Sequence, residues 1–167
     1  MEKKELKDNI VYDSYYLISL FEQDTKDITQ LQVQKLMYFV EAYYMNEKNV
    51  DFLYECPFKA WALGPVALPL YKEYSKYGES TILLNNEQLK IGDSIDSYKK
   101  DIIKEIYDFF GKKYTAIQLV NITHMDGSPW DEKWKENQGK VLYGSESDID
   151  KIKTKNWFRK TFMRGSE

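Results

Sequence analysis

Between Thr29 and Asn46 the chain offers almost no polar side to a helix. Val33, Leu36, Met37, Val40, Tyr43 and Tyr44 recur at three- and four-residue spacing, which is the period of an α-helix. Leu31, Tyr38 and Phe39 then widen that stripe around the cylinder. A helix apolar on most sides must be covered on most sides, so other elements have to pack around it. Thr29 followed by Gln32 gives its start a capping-box pattern, in which each side chain satisfies a free backbone donor of the first turn.

The flanking segments supply the cover. Asp8 to Gln23 carries Val11, Tyr15, Ile18 and Phe21 in one row and reads as an amphipathic helix, followed by a polar turn at Asp24 to Asp27. Phe52 to Gly64 changes character: Pro57 biases Cys56 toward extended backbone, and Phe58, Ala60 and Ala62 alternate with Lys59 and Trp61. A short strand or extended arm is expected there. Gly64-Pro65 predicts a turn and then a helix from Pro65 to Tyr77, with Gly78 as its cap. Ser80 to Asp96 reads as a small hairpin, Thr81–Leu84 against Leu89–Ile91 across Asn85-Asn86. Further helices are expected over Ser97 to Lys112, over Thr115 to Met125, and over a short turn from Trp130 to Glu136 with Ser128 as cap and Pro129 at its first position. Gly139 to Ser147 is loop, and the tail from Ile149 to Arg164 is helical. There is no repeat, linker or low-complexity run, so 1–167 is read as one mainly α, compact multi-helix domain with a small β-hairpin or short strands.

Composition narrows the function. Sixteen per cent of the residues are aromatic, 14 of them Tyr, which suits half-buried positions and interfaces as well as a core. A net charge of −3 is too small to imply nucleic acid or a membrane by itself. A single cysteine, Cys56, cannot make an internal disulfide and points to a reducing compartment. Met1 to Asp8 is charged with no apolar run after it, and no stretch reaches the roughly 20 apolar residues of a membrane span, so a cytoplasmic protein is expected.

Candidates for chemistry are few. The single histidine, His124, leaves no cluster for zinc, and no phosphate-cradling glycine pattern is present, so no metal or cofactor is expected. A Cys56–His124 dyad is formally available to a hydrolase or transferase, but a thiol before a proline in an apolar setting is usually inert. Asp126 and Asp131 flank His124, as a buried His–Asp pair or as ordinary helix-end hydrogen bonds. Trp61 and Trp130 beside backbone breaks are core plugs or binding anchors. In the tail, Lys151, Lys153, Lys155, Arg159, Lys160 and Arg164 interleave with Trp157, Phe158 and Phe162. That pattern fits a docking terminal helix, a basic arm for an acidic partner, or a nucleic-acid contact.

Three separated motifs carry a resemblance. Leu31-Gln32-Val33-Gln34-Lys35-Leu36-Met37-Tyr38-Phe39 resembles the "LQKLLYF" helix of the Panacea antitoxin domain, also called SocA-like or phage-associated GepA-like. Phe58 to Val66, followed by Pro69 and Tyr71, resembles its "FEAWxYGPVxPxxY" signature, with Lys59 in place of Glu and Leu63 in place of the aromatic before Gly64. Thr123-His124 and Pro129-Trp130 resemble its "TH…PW" signature. The match in order spans about residues 10–137, and the basic aromatic segment 149–164 lies outside its strongest part. The resemblance implies a helical, non-enzymatic bacterial or prophage antitoxin whose partner is a cognate toxin, neutralised by direct binding or, alternatively, delivered to a protease. By the residues alone, a nucleic-acid-binding regulator using the basic tail and a homo-oligomer remain open. The family-like positions are Lys35, Tyr38, Trp61, Gly64, Pro65, Tyr71, His124, Pro129 and Trp130. Trp61, His124 and Trp130 are expected to gather around the Gly64-Pro65 turn as a structural or binding cluster.

Overall fold

A computed structural model describes residues 8–163 of the 167. Met1–Lys7 and Arg164–Glu167 lie outside the described residues, and with them the charged start and the last basic residue of the tail.

The apolar helix is the axis of the fold. α1 (Ile10–Gln23) starts where the Asn9 side chain accepts the N–H groups of Val11 and Tyr12. α2 (Gln30–Lys48) starts at Thr29, whose N–H donates to Gln32 Oε1 at 2.9 Å, and ends on Asn49 in the left-handed conformation. Ten consecutive α2 residues, Val33 to Ala42, are buried. Around Phe39 gather the rings of Phe110, Trp157, Phe158 and Phe162, at 4.5 to 6.4 Å between centroids.

The predicted extended arm is half of a hairpin. β1 (Lys59–Trp61) pairs antiparallel with β2 (Gly64–Val66), in the register Lys59↔Val66, Ala60↔Pro65, Trp61↔Gly64. This corrects the helix expected from Pro65. Gly64 holds φ +107, a conformation that turns the chain back on itself and cannot begin a right-handed helix. Pro65 therefore continues a strand, where a missing N–H is tolerated in a two-stranded ribbon. α3 (Leu68–Tyr74) begins three residues later, with Pro69 in its first turn, and a 3₁₀ turn over Ser75–Tyr77 ends at Gly78.

The hairpin expected over Ser80 to Asp96 does not form. Ile82 donates its N–H to Ile28 O, and α4 (Asn86–Asp93) replaces the second strand. Asn85 and Gln88 make a reciprocal capping box, at 2.8 and 2.9 Å, so the Asn pair starts a helix instead of turning a hairpin. Gly92 lets α4 lie directly on α1: a Cβ there would sit 2.7 Å from Tyr16 N.

α5 (Ser97–Ile106) continues into a π turn over Tyr107–Gly111. α6 (Ala116–Thr123) is capped by Thr115 and stops before Met125. α7 (Pro129–Glu136) starts at Ser128, and α8 (Lys151–Phe162) at Asp150. The described residues thus form eight α-helices and one small hairpin, a mainly helical fold. No described helix is long and apolar enough to cross a membrane.

Two buried charged groups tie the periphery to the axis. Glu41 on α2 accepts the N–H groups of Leu53 and Tyr54 and meets Lys151 Nζ at 2.7 Å, which docks α8. Asp13 on α1 accepts Tyr54 Oη at 2.6 Å and pairs with Lys99 of α5 at 3.0 Å.

Candidate partner-binding groove

The hairpin lies between α2, α6 and α7, and its position is set by polar contacts that the apolar stripe hides. Gln34 uses its amide as a third strand would: Ala67 N donates to its Oε1 at 2.8 Å, and its Nε2 donates to Ala67 O at 3.1 Å. The next residue, Lys35, is 0% exposed and donates from Nζ to Pro65 O at 2.8 Å. Its stem fills the space over Gly64, where a Cβ would lie 2.7 Å from Lys35 Cε and 2.9 Å from Thr123 Oγ1. Gly64 is thus required twice, for its positive φ and for the side chains closing on it.

The TH and PW motifs lock onto the other face of the hairpin. Ser128 Oγ donates to Thr123 O and accepts Asp131 N–H, which joins the end of α6 to the start of α7. Pro129 is buried at the first position of α7, where its lost N–H has no helical partner to miss. Trp130 Nε1 donates to Trp61 O at 2.7 Å. The His124 ring stacks on Trp130 at 3.6 Å between centroids, with 9° between planes, and Trp134 stacks on Trp130 at 5.3 Å. Trp61, Gly64, Pro65, Lys35, His124, Pro129 and Trp130 are therefore brought together around one turn. Tyr71 joins them edge-on to Trp61 at 5.7 Å. Tyr38 stands apart: its hydroxyl bonds Thr154 Oγ1 at 2.9 Å and ties α2 to α8 inside the core.

The electrostatics follow from burial. Desolvation alone pushes the Lys35 amine down to about 7. Burial, then the positive charge of Lys35, lowers His124, against the pull of Asp131. Asp131 accepts Gly127 N–H at 3.0 Å and pairs with Lys135 at 3.1 Å, which is the helix-end role. Two polar atoms here are buried without a hydrogen-bond partner, Trp61 Nε1 and His124 Nε2. Cys56 is elsewhere, in a cleft with Tyr12, Tyr15 and Pro69, and burial pushes its thiol up. The cleft that Cys56 lines does not include His124, whose ring stacks on Trp130.

Beside the cluster a groove of about 730 Å³ opens between the α2 start, the hairpin tip, α3, α6 and the segment before α8. Its walls include Leu31, Trp61, Leu63, Val66, Tyr71, Ile117, Val141 and Tyr143, and Lys35 closes its floor. Four of the wall residues are exposed large hydrophobics: Leu63 at 55%, Tyr71 at 45%, Ile117 at 60% and Tyr143 at 74%. Grouped exposed apolar side chains in one concavity mark an interaction surface. Sequence reasoning missed Leu63, Ile117 and Tyr143. Leu63 was visible as the residue at a two-residue hairpin tip, but Ile117 sits in an apolar row that reads as core, and nothing local announces Tyr143.

The basic tail is placed differently. Lys151 is spent on Glu41, Lys153 lies 3.6 Å from Glu132, and Lys155 bonds Asn49 Oδ1. Arg159 and Lys160 are exposed, while Trp157, Phe158 and Phe162 pack against the core.

Comparison with known proteins agrees with this layout. The profile of the family described as antitoxin SocA-like, Panacea domain, matches residues 33–131, from the first turn of the axial helix through Trp130. Antitoxin SocA of Caulobacter vibrioides (strain NA1000 / CB15N) is 29% identical over 112 residues, which cover 62% of this chain and 58% of that protein. The match thus spans less than two thirds of the relative's length. No solved structure matches. The motifs of the matched region are the ones that build the hairpin and its cluster, and the chain belongs to the SocA-like antitoxin family with a Panacea domain.

Proposed function

We propose that this chain is an antitoxin that neutralises a cognate toxin by direct protein–protein binding, with the groove at the hairpin as its contact surface. The observation that carries the reading is the exposed apolar groove beside the family's own motif cluster: Leu63, Tyr71, Ile117 and Tyr143 stand in solvent around Trp61. A chain that served only its own stability would gain by covering them. The relative's name, antitoxin SocA, points the same way. Aromatic side chains in a concavity are the anchors from which interfaces draw most of their energy.

The nucleic-acid reading loses its support in the tail. Three of its lysines are engaged within the chain, Phe158 is buried, and Trp157 and Phe162 pack partly against the core. Delivery to a protease needs the same toxin contact, so it differs in outcome rather than in surface.

The test is to express each neighbouring small gene alone and then with this protein. The expected result is one toxic neighbour, rescue on co-expression, and a complex of the pair that survives purification. Rescue that disappears in protease-deficient cells assigns delivery instead of occlusion. A neighbourhood with no toxic gene and no complex contradicts the reading.

A further inference from the structure

Three lysines of the described chain are buried, and two of them have a carboxylate. Lys59 meets Asp148 at 2.6 Å, and Lys99 meets Asp8 at 2.8 Å and Asp13 at 3.0 Å. Lys35, the most deeply buried, has only the Pro65 carbonyl for three donor hydrogens. A buried amine without a counter-charge is costly, and chains usually pair it or avoid it. The neighbouring Trp61 Nε1–H is also buried and unpartnered, whereas the same atom of Trp130 is satisfied within the chain. Lys35, with one acceptor for its amine, and Trp61, with none for its indole N–H, thus both line the groove beside its apolar residues.

We propose that the groove takes an aspartate or glutamate side chain of a protein partner, flanked by apolar residues, and that its carboxylate pairs with Lys35 Nζ and Trp61 Nε1–H. The proposal rests on the antitoxin reading for the identity of the partner, but its chemistry is set by the groove. The flanking apolar residues meet Leu63, Ile117 and Tyr143, and the carboxylate replaces the counter-charge that the fold leaves out. The occupant moves aside the Tyr143 ring, which stands edge-on to Trp61 at 5.6 Å with most of its surface in water. Glu79 also lines the groove and opposes any acid that is not paired with Lys35, so the motif carries one carboxylate between apolar neighbours. A charge pair formed out of water gives specificity more than raw affinity, which suits a surface whose walls already attract apolar partners.

The test uses the full chain at pH 6, where the Lys35 amine is protonated, and three peptides, Ac-Leu-Glu-Phe-NH2, Ac-Leu-Gln-Phe-NH2 and Ac-Leu-Gln-Phe-OH, followed by NMR at the lysine Cε and tryptophan indole N–H signals. The expected result is that the glutamate peptide binds at least about tenfold tighter than the glutamine amide and shifts both Lys35 and Trp61, the scale of one charge-assisted contact. Lys35→Met, an uncharged side chain of similar length, should abolish the difference between the glutamate and glutamine amides, with a cooperative urea transition as the control that the hairpin held by Lys35 still folds. Equal affinity for the glutamate and glutamine amides overturns the proposal, as does binding that shifts neither Lys35 nor Trp61. Preference for the free C-terminal acid overturns the assignment to a side chain. No toxin enters this titration, so its failure is separate from failure of the rescue experiment.

Discussion

Replacing Lys35 with methionine isolates what the buried amine costs the fold. In the unfolded chain the amine titrates near 10.5, and in the folded chain burial holds it at about 7. Between those values the unfolded chain binds the extra proton, so stability rises with pH, by about 1.4 kcal/mol per unit where the folded amine is neutral and the unfolded one charged. From pH 7 to pH 9 the wild-type protein should gain about 2 kcal/mol relative to Lys35→Met. The assay is urea unfolding of both proteins at pH 7, 8 and 9. Both carry the same 14 tyrosines and the same carboxylates, so every other titration cancels in the difference. A difference that stays flat over this range, within about 0.5 kcal/mol, would mean that Lys35 remains charged in a hydrated site, and the argument from its burial would be wrong.

Three further outcomes are expected. Gly64→Ala combines a positive φ with a Cβ 2.7 Å from Lys35 Cε, and should cost about 2–4 kcal/mol, read as a lowered thermal midpoint with far-UV circular dichroism unchanged at low temperature. Trp130→Phe keeps the ring against His124 but removes the donor to Trp61 O, and should cost about 1–3 kcal/mol in urea unfolding. Truncation before Lys151 removes the partner of Glu41 and the Phe158 side chain from the core, so the chain should lose its cooperative unfolding transition altogether.

The apolar rows made the helices legible, and the axial helix most of all, because an all-round apolar helix allows only a central place. What that pattern could not carry was the fate of the polar residues inside it. Gln34, Lys35 and Glu41 are buried because their partners come from later in the chain: Ala67, Pro65, and Lys151 with the Leu53–Tyr54 backbone. No local window contains those pairs. The Pro65 error has the same origin. Gly-Pro fits a helix start by local rule, but the pairing of Trp61 with Gly64 fixes a φ that excludes it. At Asn85 two local rules competed, and the box with Gln88 won over the Asn-Asn turn because it satisfies two backbone donors at once. The cluster residues were named from their motifs, whereas the groove was not, since its walls come from five separate segments.

The central claim is that neutralisation runs through the groove at the hairpin. The most direct measurement is rescue from the neighbouring toxic gene by a Leu63→Asp, Ile117→Asp double variant, with thermal unfolding as the control for folding. Both positions are mostly in solvent, so the variant should fold with a nearly unchanged thermal midpoint. The account predicts that this folded variant fails to rescue and no longer co-purifies with the toxin. Full rescue by the folded variant would place the toxin contact elsewhere on the chain and contradict the account.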